Sequence, residues 1–530
     1  MPTVALRHRS LLAAAAATIA AAVPVTAAAA PSDNGCANRN NNQYSKLLEC
    51  VRVEGVKQHL AALQAIADAN GGTRADQTPG YAASVAYVEA TMTAAGWSVT
   101  VEDFVYDDAD VVLHQDTPDA ADWPANPATG TGEGTLTDTP VVPVDINLDT
   151  ATNRANSSGC EATDFAGFPA GAIALLQRGT CSFAIKALNA EAAGAGGVVL
   201  FNQGNDGGPD DRFGAVNPTL GGPDIVAIPT VGTSFAAGES LARPGATADL
   251  TVDFVQRTSQ NVIAELPGAN GDNVVMAGAH LDSVPAGPGI NDNGSGSAAL
   301  LEVAENLANH RPQNTVRFAW WGAEEAGLLG STAWVAAQSP AERDRIALYL
   351  NFDMVGSPNY VFQVYDANQS TFPAPAGVPI PDGSAAIETV FESFYTSADE
   401  PYDDSQFSGR SDYQAFILNG IPSSGLFTGA EQLKTAEQAG IWGGTAGVAF
   451  DPCYHQACDS LGNVDDHALD VNSDAIAFAV LTFAYSTESV NGVPGKRVPG
   501  KYTIPAPAGP EGTFATGGGG LAHDHDPVGA

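Results

Sequence analysis

The sequence predicts an α/β protein, with a mostly parallel central sheet flanked by helices and a β-rich segment inserted into the chain. Two observations carry that expectation. From Asn261 onward, apolar runs of strand length recur at 262–266, 274–279, 316–321 and 347–352, separated by helical patterns such as 297–309. Strands alternating with helices make a sheet covered on both faces, whose strands read as near-continuous apolar runs. Between about Asp107 and Arg257 the chain instead becomes rich in Gly, Pro, Thr and Val, with short apolar runs at 172–176 and 197–201. That stretch reads as a separate β-rich domain.

Taken in order, residues 1–30 read as a secretory signal. Arg7, His8 and Arg9 precede an apolar stretch at 11–23, and the alanines at 27–30 supply small residues for cleavage. The expected location is therefore extracellular. The apolar stretch is short for a membrane span, and no later one reaches about 18 uninterrupted apolar residues, so no membrane partner is expected. Residues 31–107 open the main domain, with helical apolar spacing at 58–69 and 81–95 around the turn signal Asn70-Gly-Gly-Thr-Arg74. Residues 108–257 form the insert, and 258–490 the larger part of the main domain. Residues 491–530 are Gly/Pro-rich, include His523-Asp-His-Asp526, and read as a flexible tail.

Export permits disulfides. The six cysteines allow 15 pairings, and their short separations favour pairing in sequence order: Cys36–Cys50, Cys160–Cys181 and Cys453–Cys458. None lies in a C-x-x-C zinc pattern. The chain has 22 Lys+Arg against 60 Asp+Glu, a net charge of −38. Such a surface repels phosphate backbones and anionic lipid, which argues against nucleic acid as a partner. With 44% hydrophobic and only 15% charged residues, the chain has ample material for a core.

Three strand-length runs end in metal-ligand chemistry. The first ends in His280-Leu-Asp282, the second in Glu324-Glu325 and the third in Asp353. In parallel α/β sheets, ligands bind at the carboxyl ends of strands, where loops converge. One such residue would read as a cap or a surface charge; three in one segment are harder to dismiss. A Gly-rich loop, Gly289-Ile-Asn-Asp-Asn-Gly-Ser-Gly296, adds Asp292. The ring expected from Cys453–Cys458 would hold Tyr454 and His455 in a fixed loop. The set His280, Asp292, Glu325, Asp353 and His455 offers nitrogen and oxygen but no thiolate, which suits catalytic zinc. Five ligands are too many for one open tetrahedral zinc and right for two metals sharing a bridging carboxylate.

These motifs resemble those of secreted bacterial two-zinc aminopeptidases of the leucyl type, over about 53–106 and 261–487. The matching stretches are Asn70-Gly-Gly-Thr-Arg74, Met276-Ala-Gly-Ala-His-Leu-Asp-Ser283, 289–299, Phe318-Ala-Trp-Trp-Gly-Ala-Glu-Glu325, Leu350-Asn-Phe-Asp353, Gly409-Arg-Ser-Asp412, Phe427-Thr-Gly-Ala430 and Cys453-Tyr-His455. The insert resembles a protease-associated domain through residues 171–183 and Ala193-Gly-Ala-Gly-Gly197. The resemblance implies a zinc aminopeptidase fold and two zinc ions. His280, Asp292 and Asp353 would hold one ion; Glu325, His455 and the shared Asp292 would hold the other. Glu324 would be the general base, Tyr454 would polarise the scissile carbonyl, and Asp282 would orient His280. Glu324, Asp353 and Arg410 would meet the substrate amine or line its pocket. Asp470 and Asp474 match the acidic ligands of a calcium found in some relatives. A cis Asp292–Asn293 peptide is implied too.

The activity the resemblance implies is hydrolysis of N-terminal residues, bulky apolar ones preferred, from peptides or proteins by a monomeric enzyme. Ile421, Phe427 and Phe450 are the apolar pocket candidates. The rivals are a catalytically inactive binding or receptor-like module, a related carboxypeptidase, and a one-zinc cyclase relative. Zinc content, hydrolysis of an aminoacyl reporter, blockage of a peptide's N-terminus and the identity of the products separate them.

Overall fold

A computed structural model describes residues 33–205, 212–222, 224–375 and 377–514. The signal reading of residues 1–30 and the His523–Asp526 tract lie outside the described residues. The strands of the main body lie in the order Asp403–Ser405, Gln363–Tyr365, Ser423–Phe427, Ile346–Phe352, Asn270–His280, Asn314–Trp321, Thr247–Leu266 and Ser98–Thr117. Its centre is parallel: Asn270–His280 pairs in parallel with both Asn314–Trp321 and Ile346–Phe352, and the latter with Ser423–Phe427. The antiparallel pairs lie toward the margins.

The period of two divides side chains between two cores. Val275, Ala277, Phe318 and Trp320 enter the larger core, with the Val53–Ala69, Pro79–Ala94, Gly296–Leu307 and Asp466–Tyr485 helices. Met276, Ala319 and Trp321 enter the smaller one, with Trp334, Val335 and Phe416. Trp320 and Trp321 are fully buried, and cutting either to alanine should cost about 3–5 kcal/mol. The Asp466–Tyr485 helix is long and apolar enough to cross a membrane, yet 83% of its most apolar window is buried, packed on neighbouring helices.

Three differences from the sequence expectations have physical causes. The two helices expected at 58–69 and 81–95 start earlier than apolar spacing suggests, at Val53 and Pro79; for the second, the Thr78 hydroxyl accepts from the Tyr81 N–H and Pro79 occupies the first turn. The insert is β-rich as expected, but it carries helices as well. Its strands Gly134–Pro143, Ile173–Gln177, Gly197–Phe201 and Thr230–Thr233 pair in parallel and are accompanied by helices Phe183–Ala192 and Phe235–Leu241. No loop separates it from the body: the 20-residue strands Ser98–Thr117 and Thr247–Leu266 pair antiparallel from one to the other. The composition shifts at Asp107 and Arg257 fall within this ladder, where Asp107 faces Gln256 and Tyr106 faces Arg257.

The tail reading is corrected as far as residue 514. The Tyr502 hydroxyl donates to Ser397 Oγ at 2.6 Å, the Gly512 and Thr513 amides donate to the Asp403 carboxylate, and Gln438 Nε2 donates to Thr513 Oγ1. Gly/Pro richness excludes regular elements here, but not docking through backbone donors. The disulfides are Cys36–Cys50, Cys160–Cys181 and Cys453–Cys458, the pairing expected from their separations.

Candidate active site

His280 is the last residue of its strand, Glu324 and Glu325 follow the neighbouring strand, and Asp353 follows the one on the other side. Parallel pairing puts these strand ends on one edge, with Trp321 level with His280. Asp292 comes from the tight turn Ile290–Ser295, which leads into the Gly296–Leu307 helix. A Cβ on Gly296 would lie 2.3 Å from the Phe352 carbonyl oxygen, so this helix entry requires glycine. The Asp292–Asn293 peptide is cis.

The two oxygens of Asp292 face different imidazoles. Oδ1 is 3.2 Å from His280 Nε2, and Oδ2 is 3.2 Å from His455 Nε2. His280 Nε2 is also 3.3 Å from Asp353 Oδ1, and His455 Nε2 is 3.0 Å from Glu325 Oε2. The set therefore divides into two triads sharing one carboxylate. Glu324 Oε2 stands 3.9 Å from His280 Nε2. Asp353 Oδ1 and Glu325 Oε1 are buried with no hydrogen-bond partner, a costly state for carboxylate oxygens unless something else neutralises them.

Electrostatics agree. Burial pushes Glu324 well above the usual carboxylate range, with Asp353 and Glu325 adding to the push. Burial and then Asp292 take Glu325 up to about 7. Burial opposes ionisation of Asp292 as well, but hydrogen bonds from His280 and His455 hold it below the usual range. Burial disfavours the charged form of His455, yet Glu325 and Asp292 outweigh it and raise the group to about 10. Protons thus balance these crowded carboxylates, and divalent ions on the same donors would displace them. The donor set fits zinc.

A ring of supporting groups aims these side chains. The Asp282 carboxylate accepts from the Glu324 and Glu325 amides, at 3.2 Å each. It also stands 3.7 Å from His280 Nδ1, which is nearer the Asp282 carbonyl oxygen at 3.2 Å, so Asp282 meets His280 through both groups. Ser411 Oγ donates to Asp353 Oδ2 at 2.5 Å. Arg74 is buried and donates to the carbonyls of Leu281, Pro288 and Gly289, which explains the Asn70–Arg74 motif. Sequence reasoning missed Asp451 and Asp459. Asp459 accepts from the Asn291 and Asp292 amides; Asp451 accepts from Asn291 Nδ2 and the Cys453 amide. Their available signal was position, since they flank the Cys453–Cys458 ring.

The expected role of Arg410 is revised. It lines the cavity, but its guanidinium donates to Glu431 Oε1 and to the Tyr454 hydroxyl, both at 3.0 Å. A fixed positive charge repels a substrate ammonium. Instead, Arg410 occupies an acceptor position on the Tyr454 oxygen and leaves its proton free to donate outward. Tyr454 is stacked on His455 at 3.8 Å, and burial pushes its pKa well above the usual range.

The cavity over these groups has a volume of about 470 Å³. Phe372, Pro373, Phe427 and Phe514 supply apolar wall, beside Gln363, Thr371 and Asp404. Of the three expected apolar pocket residues, only Phe427 lines it. Ile421 belongs to the smaller core and Phe450 to the larger one; strand-like hydrophobicity does not distinguish a wall from a core.

Comparison with known proteins agrees with this geometry. The model described as "Peptidase family M28" matches residues 261–480, and "PA domain" matches 137–241. The "Aminopeptidase" of Pseudomonas aeruginosa is 47% identical over 458 residues, 84% of this chain and 83% of the relative. "Leucine aminopeptidase 2" of Trichophyton rubrum is 44% identical over 356 residues, 66% of this chain and 69% of the relative. The structure of BSAP, a zinc aminopeptidase from Bacillus subtilis, superposes with a TM-score of 0.61 at 26% identity, covering 81% of this chain and 94% of that one. The chain belongs to peptidase family M28 and is a zinc metallo-aminopeptidase with a PA domain inserted into it.

Proposed function

We propose that this protein is an exported aminopeptidase that uses two zinc ions to remove bulky apolar residues from peptide N-termini. The observation that carries the two-ion reading is Asp292, which offers one oxygen to the His280–Asp353 triad and the other to the His455–Glu325 triad. When bound, such a pair supplies Lewis-acid activation of water and of the scissile carbonyl. Glu324 takes a proton from the attacking water and returns it to the leaving amine. Its carboxyl is buried and pushed upward, which suits it to accept a proton. Tyr454 donates to the carbonyl oxygen as charge develops there. The cationic α-amine meets Glu324 and Asp353 at the inner end of the cavity.

Phe372, Phe427 and Phe514 support an apolar preference, as does the name of the Trichophyton relative. Three disulfides and no free cysteine among the described residues support export. A monomer is proposed. A calcium at Asp470 and Asp474 is proposed as well: the two stand one helical turn apart, and Asp474 Oδ1 is buried without a partner. The test is a panel of aminoacyl reporters on purified protein, with zinc counted in parallel. Fast release of Leu or Phe at two zinc per chain is expected. A preference for acidic residues, or equal cleavage of an N-acetylated peptide, would overturn the reading.

A further inference from the structure

The residues behind the cavity wall include a second group of carboxylates that the peptidase reaction does not use. Glu388 and Glu392 stand one turn apart on the Ser384–Ala398 helix. Asp404 lies on the short strand Asp403–Ser405 beside them. One carboxylate oxygen from each of the three falls within 4.8 Å of the others, and all three residues are buried. Asp404 is 0% exposed. Its Oδ2 accepts from the hydroxyls of Ser370 and Thr371, whereas its Oδ1 is buried and has no hydrogen-bond partner. No Lys, Arg or His forms an ion pair with any of the three among the described residues.

We propose that Glu388, Glu392 and Asp404 form a site for a hard divalent cation, calcium, distinct from the zinc centre. Three carboxylates crowded out of water are unfavourable unless a cation or protons neutralise them. Oxygen-only donors suit calcium and not zinc. Asp404 also borders the substrate cavity. The unpartnered Asp404 Oδ1 is the atom left to take the ion.

The placement gives the ion a purpose. Glu388 accepts from the Asn368 amide and side chain, and Asp404 from Ser370 and Thr371. Thr371, Phe372 and Pro373 form part of the cavity wall. The cation therefore clamps the 368–373 loop to the helix and shapes the pocket's apolar side, without touching the reacting atoms.

The experiment uses the full-length, zinc-loaded protein carrying Asp474→Asn, so that the Asp470–Asp474 position does not contribute. Calcium per chain and the melting temperature are measured with and without added calcium chloride. One calcium per chain and a melting temperature several degrees higher with calcium are expected. Adding Glu392→Gln should abolish both and leave two zinc per chain, while raising the melting temperature of the calcium-free protein by relieving carboxylate crowding. If that variant misfolds, Glu388→Gln replaces it with the same expected readout. Absence of bound calcium in the Asp474→Asn protein, or a calcium effect that survives both substitutions, overturns the proposal.

Discussion

The His280–Asp353 half of the proposed ligand set hangs on the central sheet; the His455–Glu325 half spans from the sheet to a surface loop. His280 has 1% side-chain exposure and ends a central strand, and Asp353 is held by Ser411. His455 has 32% side-chain exposure, and its loop is secured by Cys453–Cys458 and by Asp451. His455 also takes a left-handed backbone, φ 56°, which a non-glycine residue adopts only when its surroundings impose it. The sheet sets the inner half through many buried contacts. The outer half depends on a covalent ring and a few hydrogen bonds, so it is the half that should loosen first.

The largest effect should come where the halves meet. Asp292→Ala removes the carboxylate both triads share, so activity should fall to background and zinc to below one ion per chain. Two retained ions would break the shared arrangement. Replacing Cys453 and Cys458 together with serine should separate the halves. Support changes of this kind weaken metal binding by about 10–100-fold, and here one ion should weaken while the other holds. Zinc retained during dialysis against a chelator reads this, and equal loss of both ions would contradict it. The smallest effect is expected far from either half. Asp107 and Gln256 face each other across the ladder, so joining them with an Asn-Gly turn excises the insert and keeps the strands paired. Zinc should stay at two per chain and small reporters should still be cleaved. A folded, fully metallated product without activity would assign the insert a catalytic part.

The parts legible in the sequence were those that repeat a local rule. Strand-length apolar runs gave the central sheet, and their shared ending in ligand-type residues gave His280, Glu324, Glu325 and Asp353 before any contact was known. The ladder joining the insert to the body was illegible because Ser98–Thr117 and Thr247–Leu266 are half-buried ribbons whose pairing spans 130 residues or more of chain; the shift in composition marks their middle, not an end. Asp451 and Asp459 were illegible because they hold the Asn291 and Asp292 amides and the Asn291 Nδ2, groups at least 160 positions away in the chain. Arg410 was visible as a motif residue, but only geometry shows that it serves Tyr454.

In the proposed mechanism, adjacent carboxylates at one strand end do different work: Glu325 would hold a metal and Glu324 would move a proton. Counting zinc in Glu324→Gln and Glu325→Ala beside the unaltered protein tests it most directly. Glu324→Gln keeps the shape and removes the base, so it should retain two ions while its rate falls by roughly 10²–10⁴. Glu325→Ala should lose an ion as well as rate. A Glu324→Gln protein that stays fully active, or that loses metal while Glu325→Ala keeps both ions, would contradict the account.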